Sequence, residues 1–138
     1  MKKEAPRGVM AKRPTKALRE KRRWLGLLVE ATYEERTGVE KLLVSLSEHL
    51  EKKPNLRLMD FWNAERVTSL DLSEASVNLQ HIGGLAIVRA DLKDTPALRR
   101  LLEGEDALAL HGLMALTTSG KIRLVRQRLG LPKPPRRR

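Results

Sequence analysis

Short apolar runs alternate with leucines at helical spacing along this chain, and that alternation restricts it to layered α/β architectures. Trp24 to Ala31 reads as a buried strand. Thr37 is placed to cap the helix that follows, and Glu40 completes a capping box. Val39, Leu42, Leu43, Leu46 and Leu50 put one apolar face on that helix, and Pro54 is its predicted stop. Leu56 to Trp62 predicts a second strand, with Leu56, Leu58 and Asp60 opposing Arg57, Met59 and Phe61. Residues 63–82, with irregularly spaced apolar side chains, predict a long hairpin or an inserted loop. Gly84 to Asp91 is a strand preceded by a Gly83–Gly84 turn. Thr95–Pro96 opens a short helix that buries Leu98, Leu101 and Leu102 and ends at Gly104. Leu108 to Leu116 predicts a last strand, and Thr118 or Ser119 caps a final helix from about Gly120 to Leu129. The order β-α-β-insert-β-α-β-α predicts an α+β sandwich: an antiparallel sheet of four or more strands with helices packed on one face.

A chain of 138 residues has room for one domain with a self-sufficient core. That domain is expected over 16–131, between a flexible basic arm at 1–15 and a basic tail at 132–138, both punctuated by proline. Cysteine is absent, which excludes disulfides and Cys-based zinc sites. No apolar run approaches the roughly 20 residues of a membrane span, and the basic start has no apolar segment behind it. A cytoplasmic protein without a membrane partner is expected.

Charge is distributed in blocks. Residues 1–23 carry ten Lys/Arg against two Glu, and residues 107–138 carry eight against no acid. Residues 24–106 reverse the balance, with ten Lys/Arg against fifteen acids. Two separated basic blocks around an acidic middle repel one another unless an anion neutralises them. Nucleic acid is the first such anion, and membrane lipid the second. The four aromatics, Trp24, Tyr33, Phe61 and Trp62, are too few for a base-stacking platform, so phosphate is the expected contact.

Two segments concentrate that chemistry. Thr117, Thr118, Ser119 and Gly120 precede a helix bearing Lys121, Arg123, Arg126 and Arg128, while Ile122, Val125 and Leu129 form its apolar side. A helix start with free N–H groups, hydroxyls and a glycine suits a phosphate. The second segment, Arg19 with Lys21, Arg22 and Arg23, leads into the first strand and places its cations at the sheet edge. Read without function, the first is a solvated helix face and the second a charged edge that resists aggregation. His49, His81 and His111 lack metal spacing, the carboxylates are dispersed, and Ser119 has no partner base. The segment Thr118–Lys121 also lacks the spacing of a nucleotide-binding loop. No catalytic residue is expected in this chain.

Three stretches together resemble the small archaeal and eukaryal ribonuclease P protein family of the Pop-five/Rpp-fourteen type. Leu18-Arg19-Glu20-Lys21-Arg22-Arg23-Trp24 is similar to the family's basic run leading into a first strand. Gly84-Leu85-Ala86-Ile87-Val88-Arg89-Ala90 resembles its Gly-Ile-x-Arg-Cys strand, with Ala90 in place of the cysteine. Ser119-Gly120-Lys121-Ile122-Arg123 looks like its Gly-Thr-Ile-Arg/Lys signature, with Lys121 where threonine is usual. The stretch Arg66 to Ile82 is longer than the family's turn at that place.

The resemblance implies a fold of the RNA-recognition-motif kind and a ribonucleoprotein endonuclease, ribonuclease P, that frees the 5′ end of precursor tRNA. It implies that the RNA performs the hydrolysis with Mg²⁺ bound to it, none being held by this chain. The partners implied are ribonuclease P RNA, precursor tRNA and an Rpp-thirty-type protein, for which a heterotetramer is one arrangement. The residues alone leave open another structural RNA-binding protein, such as a ribosomal one, or a protein-interaction module with basic tails.

Overall fold

The computed structural model of the chain describes residues 21–50, 52–70, 75 and 83–132. The predicted arm at 1–15, Arg19, His81 and the tail beyond residue 132 lie outside them. The elements are β1 (Arg22–Glu30), α1 (Arg36–Ser47), β2 (Arg57–Trp62), α2 (Ala64–Thr68) and β3 (Gly83–Asp91). After a 3-10 turn at Leu92–Asp94 come α3 (Thr95–Leu101), α4 (Gly104–His111), β4 (Leu113–Ser119) and α5 (Ile122–Leu129). The strands form one sheet in the order β2-β3-β1-β4, and every neighbouring pair is antiparallel. Strands β1 and β2 run parallel with β3 between them, and β3 and β4 run parallel with β1 between them. Two split β-α-β units therefore interlock. The predicted antiparallel sheet with helices on it is present.

Helices cover both faces, not one. On the first face Leu25, Leu27 and Val29 of β1 meet Ala86 and Val88 of β3, Val39, Leu43 and Leu46 of α1, and Leu98 of α3. On the second, Leu28, Leu85, Ile87 and Met114 meet Val125 and Leu129 of α5, with Val67 of α2 alongside. Because β1 and β3 are buried on both faces, they read as continuous apolar runs without polar alternation. Fully burying each leucine contributes roughly 1.5–3 kcal/mol, which makes this double-sided core the main source of stability.

Several local expectations are corrected. Helix α1 starts at Arg36 behind Glu35, with no side-chain cap, so Thr37 and Glu40 form no capping box. It ends at Ser47, whose hydroxyl turns back to the Leu43 carbonyl, well before Pro54. A bulge at Met59 puts Leu58 and Phe61 on one face of β2 and Met59 on the other, breaking the simple alternation. Asn63 caps α2 by accepting from the Arg66 N–H at 2.8 Å, so the expected hairpin begins as a helix. Gly83 and Gly84 are the first residues of β3, paired with Glu30 and Val29, and not a turn. Strand β1 lies in the interior of the sheet, so Arg22 and Arg23 stand at the end of a central strand and not on an edge. Asp94 is the N-cap of α3, while the Thr95 hydroxyl donates to the Asp91 carbonyl.

The run Leu108–Leu116 divides. Its first part belongs to α4, whose α-turns end where Gly112 adopts φ 73°; β4 begins at Leu113. A side chain at Gly112 would be strained in that left-handed conformation. Gly104 starts this helix and does not terminate α3. His111 accordingly ends a helix, with its ring 5.0 Å from that of His49, edge to face.

Candidate nucleic-acid interface

The described parts of all three stretches that carry the family resemblance reach the same end of the sheet. Trp24 pairs with Arg89 on one side and with Ser119 on the other. Arg23 pairs with Ala90, and Arg22 with Asp91. Arg89 also pairs with Arg57 on β2, so two like charges stand directly opposite each other. Such a pair is unfavourable unless an anion or solvent screens it. The far end of the sheet holds Glu30, followed by Glu34 and Glu35. The domain thus has a basic end and an acidic end, which the block counts along the chain do not reveal.

Strand β4 ends in a turn at Gly120 and Lys121. Ser119 does not cap α5; its hydroxyl accepts from the Lys121 N–H at 3.1 Å and closes the turn. Lys121 is the N-cap residue, without a side-chain cap; its carbonyl accepts from the Leu124 and Val125 N–H groups at 3.2 and 3.4 Å, and the amides of Ile122 and Arg123 at the helix start have no i−4 acceptor within the helix. A Cβ built on Gly120 would lie 3.2 Å from a guanidinium nitrogen of Arg23. A side chain at that position would push the Arg23 guanidinium aside by a few tenths of an ångström. Lys21, Arg22, Lys121 and Arg123 are exposed around it.

The remaining predicted contacts are engaged within the fold. Arg126 forms an ion pair with Asp60 of β2 at 2.7 Å, with the two side chains 18% and 28% exposed. The Trp62 indole N–H donates to the same carboxylate at 3.3 Å. Arg128 donates to the Thr117 hydroxyl at 3.0 Å and to the Thr118 carbonyl at 3.1 Å. The methyl group of Thr117 faces Gly26. Arg126, Arg128 and Thr117 therefore anchor α5 across the second sheet face. Spacing could not show this, because Asp60 is distant in sequence.

Replacing Arg126 by alanine should cost about 1 kcal/mol or less, the range of partly exposed ion pairs, and most of it should vanish in an Asp60→Asn background. The salt dependence of RNA binding should stay as in the parent, whereas Arg123→Ala should lower the log–log slope by roughly 0.7–0.9. Denaturant melts of the four-variant cycle, with binding titrations at several salt concentrations, measure both.

The structure also adds residues. A cleft of about 710 Å³ opens between the end of β4 and α3, lined among others by Arg23, Thr118, Ser119 and Gly120 together with Arg99 and Arg100 of α3. The sequence shows Arg99–Arg100 only as an exposed pair on a short helix; nothing in spacing connects it to Gly120. Among the described residues no group of three or more His, Asp or Glu could hold a metal ion. His111 is held below the ordinary histidine range by burial first and by His49 second. No helix among the described residues is long and apolar enough to cross a membrane. No protein-family model matches the chain, and no curated protein matches it.

Proposed function

We propose that this chain is an RNA-binding subunit of ribonuclease P that positions RNA and screens its phosphates while the RNA, with its Mg²⁺, cleaves precursor tRNA. The observation that carries this reading is the convergence at one sheet end of the three stretches resembling the family: Arg22–Trp24, Arg89–Ala90 and Ser119–Arg123. Segments far apart in sequence that meet in space, each bringing cations or a backbone turn, form a surface suited to phosphate. The mode is phosphate contact and not base stacking. Domains of the RNA-recognition-motif kind stack bases on sheet aromatics. Here the face bearing Trp24 and Trp62 packs with α5 and α2, and the Trp62 ring carries the Arg66 guanidinium at 4.1 Å.

In this reading no side chain of the chain moves a proton in the reaction. Its contribution is electrostatic: cations fixed by β1 and by the turn before α5 lower the repulsion between RNA strands that must approach for cleavage. An Rpp-thirty-type protein is the proposed partner, with a heterotetramer as one assembly, and a cytoplasmic setting is proposed with it. Adding the chain with that partner to ribonuclease P RNA is expected to lower the Mg²⁺ concentration needed for precursor tRNA cleavage. Unchanged cleavage across a Mg²⁺ titration, or co-purification with ribosomal subunits in place of ribonuclease P RNA, would sink the proposal.

A further inference from the structure

We infer that the cleft between the end of β4 and α3 is a seat for the sugar–phosphate backbone of a single RNA strand, with Arg99 and Arg100 of α3 as phosphate-binding residues beside Arg23. The inference rests on the RNA-binding reading above and specifies where one strand runs. Three guanidinium groups line the cleft, and among the described residues none of them is in an ion pair. Arg23 donates within the chain to the Arg22 carbonyl at 2.9 Å, which leaves donors on its fork. One carboxylate, Glu103, stands among the described lining residues. Unneutralised arginines with planar forks match the geometry of phosphate oxygens.

The shape selects the ligand further. The cleft's 710 Å³ lies within the roughly 300–1,000 Å³ of small-ligand sites, enough for a short stretch of backbone and too small for a duplex to enter. Thr118, Gly120 and Ala115 line it without any aromatic ring, so nothing there would stack a base, and sequence preference should be weak. It opens beside Gly120, where Lys121 and Arg123 are exposed, so a strand leaving the cleft meets further cations. That continuity favours an extended polyanion over an isolated anion.

The test uses the full chain and a fluorescein-labelled single-stranded oligouridylate, titrated at several salt concentrations. The variant R99A/R100A should bind about tenfold more weakly, with the log–log salt slope reduced by about 1.4, the value for two lost phosphate contacts on a single strand. E103Q, which removes the opposing charge, should bind roughly two- to threefold more tightly. K41E, which makes the same change in net charge on α1, should leave affinity close to the parent value. Parent-like affinity of R99A/R100A, or an equal loss in K41E, overturns the cleft assignment while leaving the ribonuclease P reading intact. Competition by pyrophosphate or polyglutamate as effective as that by unlabelled oligouridylate overturns it in favour of a small anion or an acidic protein. Absence of RNA binding by the parent chain overturns both readings together.

Discussion

Reversing the three cations that surround Gly120, with Arg23→Glu, Lys121→Glu and Arg123→Glu combined, is expected to weaken binding of ribonuclease P RNA at least about a hundredfold. A hydrogen bond to a charged group contributes roughly 1.5–3 kcal/mol, and exposure to solvent reduces that to about 1 kcal/mol per position here. Three such losses reach the roughly 2.7 kcal/mol that a hundredfold change requires, before the added repulsion is counted. Stability should change little. Lys121 and Arg123 are exposed, and the Arg23 side chain has the Arg22 carbonyl as its acceptor within the fold. Filter binding at fixed salt, with a thermal melt of the same preparation, decides it; parent-like affinity in a folded variant would remove this turn from the interface.

Gly26→Val should strongly disturb the packing of α5 on the sheet. Gly26 lies on the central strand beneath α5, where even a Cβ would come within 2.9 Å of the Thr117 methyl and 3.1 Å of both Val125 and Leu129. Valine adds two further methyls to a space already closed on three sides. Overpacking of a close-packed core costs typically 1–3 kcal/mol, and this site belongs at about 3 kcal/mol because backbone and helix must separate. Detachment of α5 would relieve the clash, so its amides should lose hydrogen-exchange protection before those of β3. RNA affinity should fall in step, since Lys121 and Arg123 move with the helix. Parent-like protection of α5 in Gly26→Val would refute this account of the packing.

Both expectations depend on a division that the sequence made visible only in part. Ile122, Val125 and Leu129 are legible as one helical face because apolar residues at that spacing have few other uses. They do pack on the sheet, with Val125 and Leu129 fully buried. The fates of Arg126 and Arg128 are not legible, because the partners Asp60 and Thr117 come from other elements. The extension of the last strand back to Leu108, where the chain is still in α4, has a similar cause. A short apolar run is compatible with a buried helix or a buried strand, and Gly112, which separates the two here, acts through its φ.

The sequence by itself determined the mixed strand-and-helix class, the apolar faces of α1 and α5, and the presence of two basic segments. These are local properties, set by periodicity and composition. The tertiary structure alone decided that β1 is central, that helices cover both sheet faces, and that charge separates into a basic and an acidic sheet end. It also decided that Arg99 and Arg100 join Arg23 and Gly120 around one cleft. Strand pairing creates these neighbours by bringing together residues separated by most of the chain, and no local signal encodes which pairs will meet.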